Sequence, residues 1–412
     1  MTNREEAARL DAIDPLAAKR GAFRLPDGLI YLDGNSLGPL THAARAALEQ
    51  TIDVEWGDGL IGSWNTADWV GLPRRIGALI APLTGAEPGD VICTDGTSIN
   101  LFKVLSLALD LRRTRSRVVS ERHNFPTDLY VAEQAIARAG HDQQLTRVDS
   151  TDELDRWIDD DLAVLLLTHV DYRTGAMHDL ARITAQARAA GALVVWDLAH
   201  SAGAVPVELR AAGVDFATGC GYKYLNGGPG APAFVYAHPR HHGTLDQPLA
   251  GWFAHADPFA FDARFEAAAD MRAFLSGTPS VLGMRALEAA LGVWVDVDMT
   301  AVRAKSIALC ELFIATVEAR CADSGLMLAS PRDASARGSQ VSFCHPQAYA
   351  VMRALIEHGV VGDMRAPDIL RFGFAPLYTR YVDVIDAADA LARILEAQLY
   401  QAGAHGSRAA VT

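Results

Sequence analysis

The sequence predicts an α/β protein with a large and a smaller domain, and the pattern of its apolar residues is the first evidence for this fold class. Short apolar runs, such as 162–168 and 193–197, alternate with amphipathic stretches, such as 131–139 and 180–190. This alternation predicts βαβ units, and strands that are apolar along their whole length are typical of a parallel sheet buried on both faces. A length of 412 residues suits a large α/β domain with a mostly parallel sheet flanked by helices, plus a smaller α+β domain.

The domain boundaries follow from where this alternation starts and stops. Residues 60–280 carry it and are predicted to form the large domain. Residues 281–412 are predicted to form the small domain. Their pattern consists of a long helical stretch from 281 to about 318, strand candidates at 341–343 and 369–374, and a final helix from about 383 to 399.

The two ends of the chain are interpreted separately. Residues 1–59 contain a helical pattern near 4–17 and a strand candidate at 29–32, and they are predicted to pack with the small domain. The tail at 403–412 is expected to be frayed, because chain ends are poorly ordered unless other elements tie them down.

Composition and charge argue against several classes of function. The net charge of −13 is spread along the chain, which disfavours a nucleic-acid or anionic-membrane surface. The first seven residues carry two acids where a secretory signal would be basic and then apolar, so a cytoplasmic location without a membrane span is predicted. The five cysteines form no C-x-x-C pair, which favours buried thiols over a disulfide or metal framework.

The densest functional signal is an apolar strand that ends at Asp197 and runs into a turn of small residues, 199–203. In open α/β sheets, ligands bind outside the carboxyl ends of the strands. A carboxylate there can pair with a protonated pyridine nitrogen, the interaction that makes pyridoxal 5′-phosphate (PLP) an electron sink. The alternative is that Asp197 only caps the next turn.

A second segment, 219–230, places a single lysine, Lys223, among aromatic and glycine residues after a strand-like stretch. An enclosed lysine amine can form and exchange Schiff bases. We therefore predict that Lys223 carries PLP as a Schiff base, with Asp197 as the partner of the pyridine nitrogen. The alternative is a solvated loop lysine.

Two further segments are candidates for the remaining cofactor contacts. Residues 94–103 supply hydroxyls and a glycine at a helix start, where free N–H groups bind anions, so Thr97 and Ser98 are the predicted phosphate ligands. The same stretch also fits an ordinary N-cap. Phe125, between a strand and a helix, is a candidate to stack on the pyridine ring or, alternatively, to anchor the helix start in the core.

Together and in order, these segments resemble the kynureninase family, from about residue 10 to the last helix. The similar stretches are 31–38, 95–103, 124–130, 196–205, 221–229, 251–253 and 371–378. The resemblance implies fold type I of the PLP-dependent enzymes, the aspartate-aminotransferase-like superfamily. It also implies hydrolysis of L-kynurenine to anthranilate and L-alanine in tryptophan degradation, weaker activity on 3-hydroxykynurenine, and a homodimer with shared active sites.

The resemblance further implies roles for individual residues. Trp252 and Thr278 are similar to residues that reach the cofactor across a dimer interface. Gly96 departs from the pattern, because a relative has a hydroxyl residue there, and this leaves the phosphate contacts around it open. The residues that the resemblance places along the cofactor are Phe125, Pro126, Thr127, Asp128, Thr168, His200 and Tyr222. The alternative for His200 is a hydrogen-bonded residue of the core.

Substrate contacts are predicted from the chemistry that they need. A carboxylate requires a planar bidentate partner, for which Arg371 in an Arg-Phe-Gly-Phe motif is the candidate; the alternative is a surface arginine. Asn35, Ser36 and Trp64 are predicted to border the aryl end of the substrate. Tyr222, next to the reactive lysine, is the candidate proton donor.

Three alternative functions stay open from the sequence. A cysteine desulfurase or selenocysteine lyase shares the fold but needs a thiol on a mobile loop, and the only candidate, Cys344, lies at a predicted strand end. An aminotransferase would require a keto acid. A catalytically silent PLP-fold protein has no need to keep Lys223, Asp197 and Arg371 together.

Overall fold

The computed structural model describes residues 3–401 and contains three β-sheets. The strands are β1 (Ile30–Tyr31), β2 (Val91–Thr94), β3 (Arg117–Glu121), β4 (Gln144–Val148), β5 (Leu162–Thr168), β6 (Leu193–Asp197), β7 (Phe216–Gly219), β8 (Ala233–Ala237), β9 (Met327–Leu328), β10 (Gln340–Cys344), β11 (Val360–Val361), β12 (Asp363–Arg365) and β13 (Ile369–Gly373). The helices are α1 (Arg4–Ile13), α2 (His42–Gln50), α3 (Ser63–Thr66), α4 (Leu72–Ile80), α5 (Thr97–Leu111), α6 (Pro126–Ala139), α7 (Leu180–Ala189), α8 (Val281–Leu291), α9 (Met299–Arg320), α10 (Ala348–Glu357) and α11 (Tyr381–Glu396).

The large sheet has seven strands in the order β2-β8-β7-β6-β5-β3-β4. Strand β8 runs antiparallel to both of its neighbours, and the other pairs are parallel. Because side chains alternate along a strand, Val164 and Leu166 of β5 pack under α5, whereas Leu165 and Leu167 pack on the side of α4 and α7. The predicted mostly parallel sheet flanked by helices is confirmed.

The small sheet has four antiparallel strands in the order β12-β13-β10-β9. Residues of α9, α10 and α11 share one apolar core with this sheet. The N-terminal strand β1 pairs in parallel with β11, and α1 packs on α11. Residues just after β1 are therefore placed beside the small sheet, although they lie far from it along the chain.

One sequence-based prediction about the helices is wrong. The continuous helix expected from 281 to 318 is two helices, α8 and α9, separated by a short 3₁₀ turn, Gly292–Trp294. Asp296 then adopts a left-handed conformation with φ of 59°, and the side chain of Asp298 caps α9 by accepting a hydrogen bond from the Thr300 N–H. The cap formed by Asp298 thus starts a new helix, although the apolar periodicity of the sequence continues through the break.

The N-terminal helix is also shorter than predicted, since α1 ends at Ile13 just before Asp14 and Pro15. A residue that precedes proline is disfavoured in helical conformation. The tail at 403–412, expected to be frayed, lies outside the described residues. None of the helices within residues 3–401 is long and apolar enough to cross a membrane.

Candidate active site

The carboxyl ends of β5 and β6 bring together two side chains of the site. Thr168 and Asp197 are the last residues of these strands and are paired in register. Asp197 is 3 % exposed, and its Oδ1 accepts a hydrogen bond from the Ala199 N–H at 2.6 Å. The carboxylate therefore does bind the turn that follows, as the capping alternative expected, but it is also buried at the sheet edge where ligands bind.

Asp128, in the first turn of α6, faces Asp197. The two carboxyl groups are hydrogen-bonded to each other, and the Thr168 hydroxyl lies 3.3 Å from Asp128 Oδ2 and 2.5 Å from Asn124 Oδ1. Burial, followed by the charge of Asp197, raises the pKa of Asp128 well above its usual value. Burial also raises the pKa of Asp197, while the positive charge of Lys223 opposes the rise. The pKa of Asp128 is raised more than that of Asp197, which favours a proton on Asp128 and a negative charge on Asp197.

Lys223 stands apart from the other lysines of the chain. There are four: Lys19, Lys103, Lys223 and Lys305. Lys103 and Lys305 are buried and bind carboxylates, and Lys19 donates to the Val295 carbonyl. The amine of Lys223 instead lies 2.9 Å from Nε2 of His200 and 5.8 Å from the centre of the Tyr222 ring. It is only partly exposed, so the solvated-loop alternative does not describe it.

His200 is the neutral neighbour of this amine. Burial, followed by the positive charges of Lys223, Arg371 and Arg365, lowers the pKa of His200 well below its usual value. Its Nδ1 is buried without a hydrogen-bond partner among residues 3–401. A buried polar atom without a partner costs about 1–3 kcal/mol. Nδ1 of His200 is therefore available to form a hydrogen bond with a polar ligand.

The first turn of α5 contains the two predicted phosphate ligands, Thr97 and Ser98. Gly96 is the N-cap residue and cannot cap with a side chain, so no side-chain cap is formed among the described residues. Thr97 is half-buried and Ser98 is exposed at the start of the helix. Asp95 precedes them in a left-handed conformation with φ of 40°. The N–H groups and hydroxyls of this turn have the chemistry of a phosphate site.

Phe125 is not a core residue, because 41 % of its surface is exposed. Its ring meets that of Tyr172 edge-on, with centroids 5.2 Å apart, at the N-cap position of α6. Pro126 and Thr127 follow in the first turn and are half-buried. This segment ends at Asp128, so the predicted ring-stacking residue and the protonated carboxyl lie within one helical turn.

Arg371 is buried, with 1 % of its surface exposed, and the surface alternative is excluded. Asp363 binds it in a bidentate manner, with Nε 2.6 Å from Oδ1 and Nη2 bonded to Oδ2. Its other edge donates to the Tyr172 carbonyl through Nη1 at 2.6 Å and to the Ser36 hydroxyl through Nη2 at 2.7 Å. The sequence reasoning missed Asp363, whose only signal is its register opposite Arg371 in the β12-β13 hairpin.

The predicted aryl-binding residues have different neighbours within this one chain. Ser36 contacts Arg371 and Asp363, and Asn35 donates to Gln340 Oε1 at 2.9 Å. Both residues follow β1, which pairs with β11 beside the small sheet. This pairing brings them close to Arg371 and Gln340. Trp64, on α3, instead packs edge-on against other aromatic rings. Its partners are Trp69, Trp252 and Phe253, at centroid distances of 6.0–6.2 Å.

A cavity of about 560 Å³ lies at this aromatic cluster. It is lined by Ile61, Trp64, Asn65, Trp252, Phe259 and Phe261. Thr278 is exposed in the loop that precedes α8. Within residues 3–401 of this chain, neither Trp252 nor Thr278 forms a hydrogen bond or a cation–π contact with the Lys223 amine.

Several solved structures share this fold. The chain superposes with a TM-score of 0.76 on apo cysteine desulfurase from Thermococcus onnurineus, at 18% identity over 92% of this chain and 98% of that one. It superposes with the same score on cysteine desulfurase CsdA from Escherichia coli, at 21% identity over 93% and 98%. A C-DES variant with glycine linked to its PLP cofactor gives 0.75, at 18% identity over 95% and 99%. The fold class is that of fold type I PLP-dependent enzymes.

Sequence relatives identify the family within this class. The kynureninase of Burkholderia pseudomallei strain 1106a is 53% identical over 416 residues, and that of Pseudomonas fluorescens is 50% identical over 416 residues. Both alignments cover all of this chain and all of the relative. The kynureninase C-terminal domain family matches residues 302–391. The chain belongs to the kynureninase family, and this membership agrees with the PLP cofactor predicted from the sequence.

Proposed function

We propose that the protein hydrolyses L-kynurenine to anthranilate and L-alanine with PLP as its cofactor, and 3-hydroxykynurenine more weakly. The observation that carries the proposal is the pairing of the Lys223 amine with neutral His200 beside the buried carboxyls of Asp128 and Asp197. The full-length identity to kynureninases supports the choice of substrate. The reaction belongs to tryptophan degradation, in the cytoplasm.

The residues present fit the cofactor. Asp197 keeps a negative charge in a buried place, and such a charge is stable only with a positive partner. A protonated pyridine nitrogen would supply that partner, Lys223 would form the covalent link, and the turn at Thr97 and Ser98 would hold the phosphate. When bound, PLP provides an electron sink for negative charge at the substrate Cα. Phe125 would cover the ring, and Thr168 supports the carboxyl pair.

Two side chains handle the protons. Lys223 would act as the base that removes the Cα proton of the substrate, and the neutral Nε2 of His200 keeps its amine in one orientation. Water would add to the γ-carbonyl of the substrate, and its oxygen would end in the carboxyl group of anthranilate. When the bond between Cβ and Cγ breaks, its electron pair would stay on Cβ, which must then take up one proton. Burial raises the pKa of the Tyr222 hydroxyl above its usual value, so the phenol keeps its proton and can donate it to Cβ.

Arg371 would bind the substrate carboxylate. Asp363 occupies the Nε edge of the guanidinium and fixes its orientation, while the other edge bonds to two neutral oxygens, Tyr172 O and Ser36 Oγ. A carboxylate is a stronger acceptor than either, so it would displace them and bind both terminal nitrogens. Asn35 borders this end of the substrate site.

We further propose that the active enzyme is a homodimer. Large apolar side chains surround the aromatic cavity and are exposed in the single chain, among them Ile61 at 81 % and Phe261 at 76 %. A contiguous apolar patch of this kind is typical of a protein interface. Trp252 and Thr278 would then serve the partner's cofactor, and Trp64 the aryl group. Phe261→Asp should yield monomers by sedimentation velocity together with loss of activity; an active monomer would contradict shared sites.

The decisive test is to mix the PLP-loaded protein with L-kynurenine and to follow the fluorescence of anthranilate. Lys223→Ala should give none, and Lys19→Ala, a matched change at a lysine away from the site, should keep full activity. Borohydride reduction of the loaded protein, followed by peptide mapping, should label one lysine of the four, Lys223. Bound PLP without anthranilate would reject the substrate. Product that depends on an added keto acid would indicate an aminotransferase.

A desulfurase is the less favoured candidate. Cys344 is the last residue of β10 and is paired with Ile369 of β13 and Met327 of β9. Its thiol therefore belongs to a regular strand and not to a loop. Unchanged kynurenine turnover by Cys344→Ala would exclude a catalytic role for it.

A further inference from the structure

Lys103 is a second lysine whose surroundings call for an explanation. Its side chain is 0% exposed, on α5. The ammonium group donates to Asp95 Oδ2 at 2.6 Å and to the Phe274 carbonyl at 2.5 Å. These two acceptors belong to chain segments that lie 179 residues apart by number, and Lys103 joins them. A buried cation is tolerated when it is paired in this way.

Asp95 is the turn residue between β2 and the first turn of α5. Its left-handed φ of 40° is unusual for a residue other than glycine, so its neighbours must stabilise it. The Thr94 hydroxyl donates to its carboxylate at 2.9 Å, and the Ala233 N–H donates to its carbonyl at 2.8 Å. Asn100, one helical turn before Lys103, donates to Thr94 O at 2.7 Å. Two side chains of α5 thus reach back to the turn that sets the position of Thr97 and Ser98.

Phe274 lies at the other end of the link. It closes a 3₁₀ turn, Met271–Phe274, and two residues later Ser276 O accepts a hydrogen bond from the Phe253 N–H at 3.1 Å. A Cβ atom at Gly251 would collide with the Ser276 backbone, so this contact is close packed. The segment that Lys103 binds therefore supports Trp252, which lies between Gly251 and Phe253.

We propose that Lys103 is a positioning residue for the phosphate end of the cofactor site, an inference that rests on the proposed function. Its ammonium holds Asp95 in the left-handed conformation and ties the phosphate turn to the segment under Trp252. Loss of this link leaves the α5 N–H groups free to move relative to the rest of the site. Affinity for the phosphate should fall, and affinity for the pyridine ring should not.

The test compares two probes on the apoenzyme, PLP and pyridoxal, which lacks the phosphate. The variant is Lys103→Met with Asp95→Asn, in which both partners are made neutral. The matched control is Lys305→Met with Asp14→Asn, because Lys305 is also buried and also binds one carboxylate, Asp14 Oδ2, and one carbonyl, Pro376 O, each at 2.6 Å. Dissociation constants are measured by absorbance, and folding by circular dichroism and thermal melting.

We expect the variant at Lys103 to raise the dissociation constant of PLP about ten- to hundredfold, the equivalent of one charge-assisted hydrogen bond, and that of pyridoxal by less than about twofold. In the control variant, neither the dissociation constant of PLP nor that of pyridoxal should change. Equal losses for both probes, an unchanged PLP affinity, or the same loss in the control would overturn the inference.

A second variant keeps the test decisive if the first does not fold. Asp95→Asn alone alters a side chain that is 32% exposed and leaves Lys103 in place. It should show the same loss of PLP affinity relative to pyridoxal, and the absence of that difference would overturn the inference. Failure of the wild-type protein to bind PLP would instead reject the proposed function, since the inference concerns a protein that binds it.

Discussion

The side-chain amine of Lys223 lies 2.9 Å from Nε2 of His200, and the imidazole is neutral because burial and nearby cations lower its pKa well below the usual value. A neutral ring can accept a hydrogen bond from the amine but cannot exchange a proton with it near neutral pH. His200 therefore orients the amine.

We predict that His200→Leu lowers kcat/KM about tenfold, since one neutral hydrogen bond is lost, and that His200→Gln lowers it less. The pH profile of kcat/KM between pH 6 and 9 should keep its shape in His200→Gln, because a histidine that is already neutral has no proton to lose there. Disappearance of an ionisation from the profile in this variant would show that His200 titrates during catalysis.

The pair of carboxyl groups, Asp128 and Asp197, predicts that two similar substitutions lower turnover to different extents. Asp197→Asn removes the negative charge proposed to face the pyridine nitrogen, and turnover should fall about a hundredfold or more. Asp128→Asn replaces a protonated carboxyl by an amide that can also donate to Asp197, so turnover should stay within about tenfold of wild type. Steady-state kinetics of both PLP-loaded variants test this. Equal losses would show that the proton is not held on Asp128.

Arg371 predicts a change in substrate binding. Arg371→Lys replaces a bidentate donor by a point charge, so the KM for L-kynurenine should rise about ten- to hundredfold. Arg365→Lys is the matched control, because Arg365 also binds Asp363, at 2.8 Å, and is more exposed. Its KM should change less than about threefold. Equal effects of the two changes would argue that Arg371 only supports the local structure.

Tyr222 predicts a change in the order of product release. In Tyr222→Phe, bond cleavage precedes the missing proton transfer, so rapid-quench experiments should show a first-turnover burst of anthranilate followed by slow formation of alanine. Turnover should fall about ten- to hundredfold, with the PLP absorbance unchanged. Tyr224→Phe, which removes a buried hydroxyl bonded to Ser339 O at 3.1 Å, is the control and should give no burst. Normal turnover by Tyr222→Phe would reject its role as donor.

Local sequence signals are enough to select two residues of the candidate site. Asp197 ends an apolar strand and Lys223 lies in a glycine-rich turn, and neither signal depends on distant parts of the chain. The partners could not be predicted in this way. Asp363 reaches Arg371 only through the register of two strands, and Ser36 reaches it only because β1 pairs with β11 beside the small sheet. Register and packing are decided by tertiary contacts, which sequence periodicity does not encode.

His169 gives a prediction about stability and not about catalysis. It follows β5 directly, is buried, and its Nδ1 lacks a partner in the described part of the chain, 3–401. Burial, with a smaller contribution from His178, lowers its pKa to about 3, against about 6.5 for an unfolded histidine. Between these values the unfolded state binds a proton that the folded state does not, so the free energy of unfolding falls as the pH drops.

One such group contributes a slope of up to about 1.4 kcal/mol per pH unit between pH 6 and pH 4. His169→Phe keeps an aromatic ring against Trp196, whose centroid is 5.9 Å away, and removes the titrating group. The variant should therefore lose less stability than the wild type as the pH falls from 6 to 4, and the two slopes should agree above pH 7.5, where both side chains are neutral. Chemical denaturation of both PLP-loaded proteins across this range measures the difference. Parallel slopes at acid pH would show that His169 accepts a proton in the folded protein.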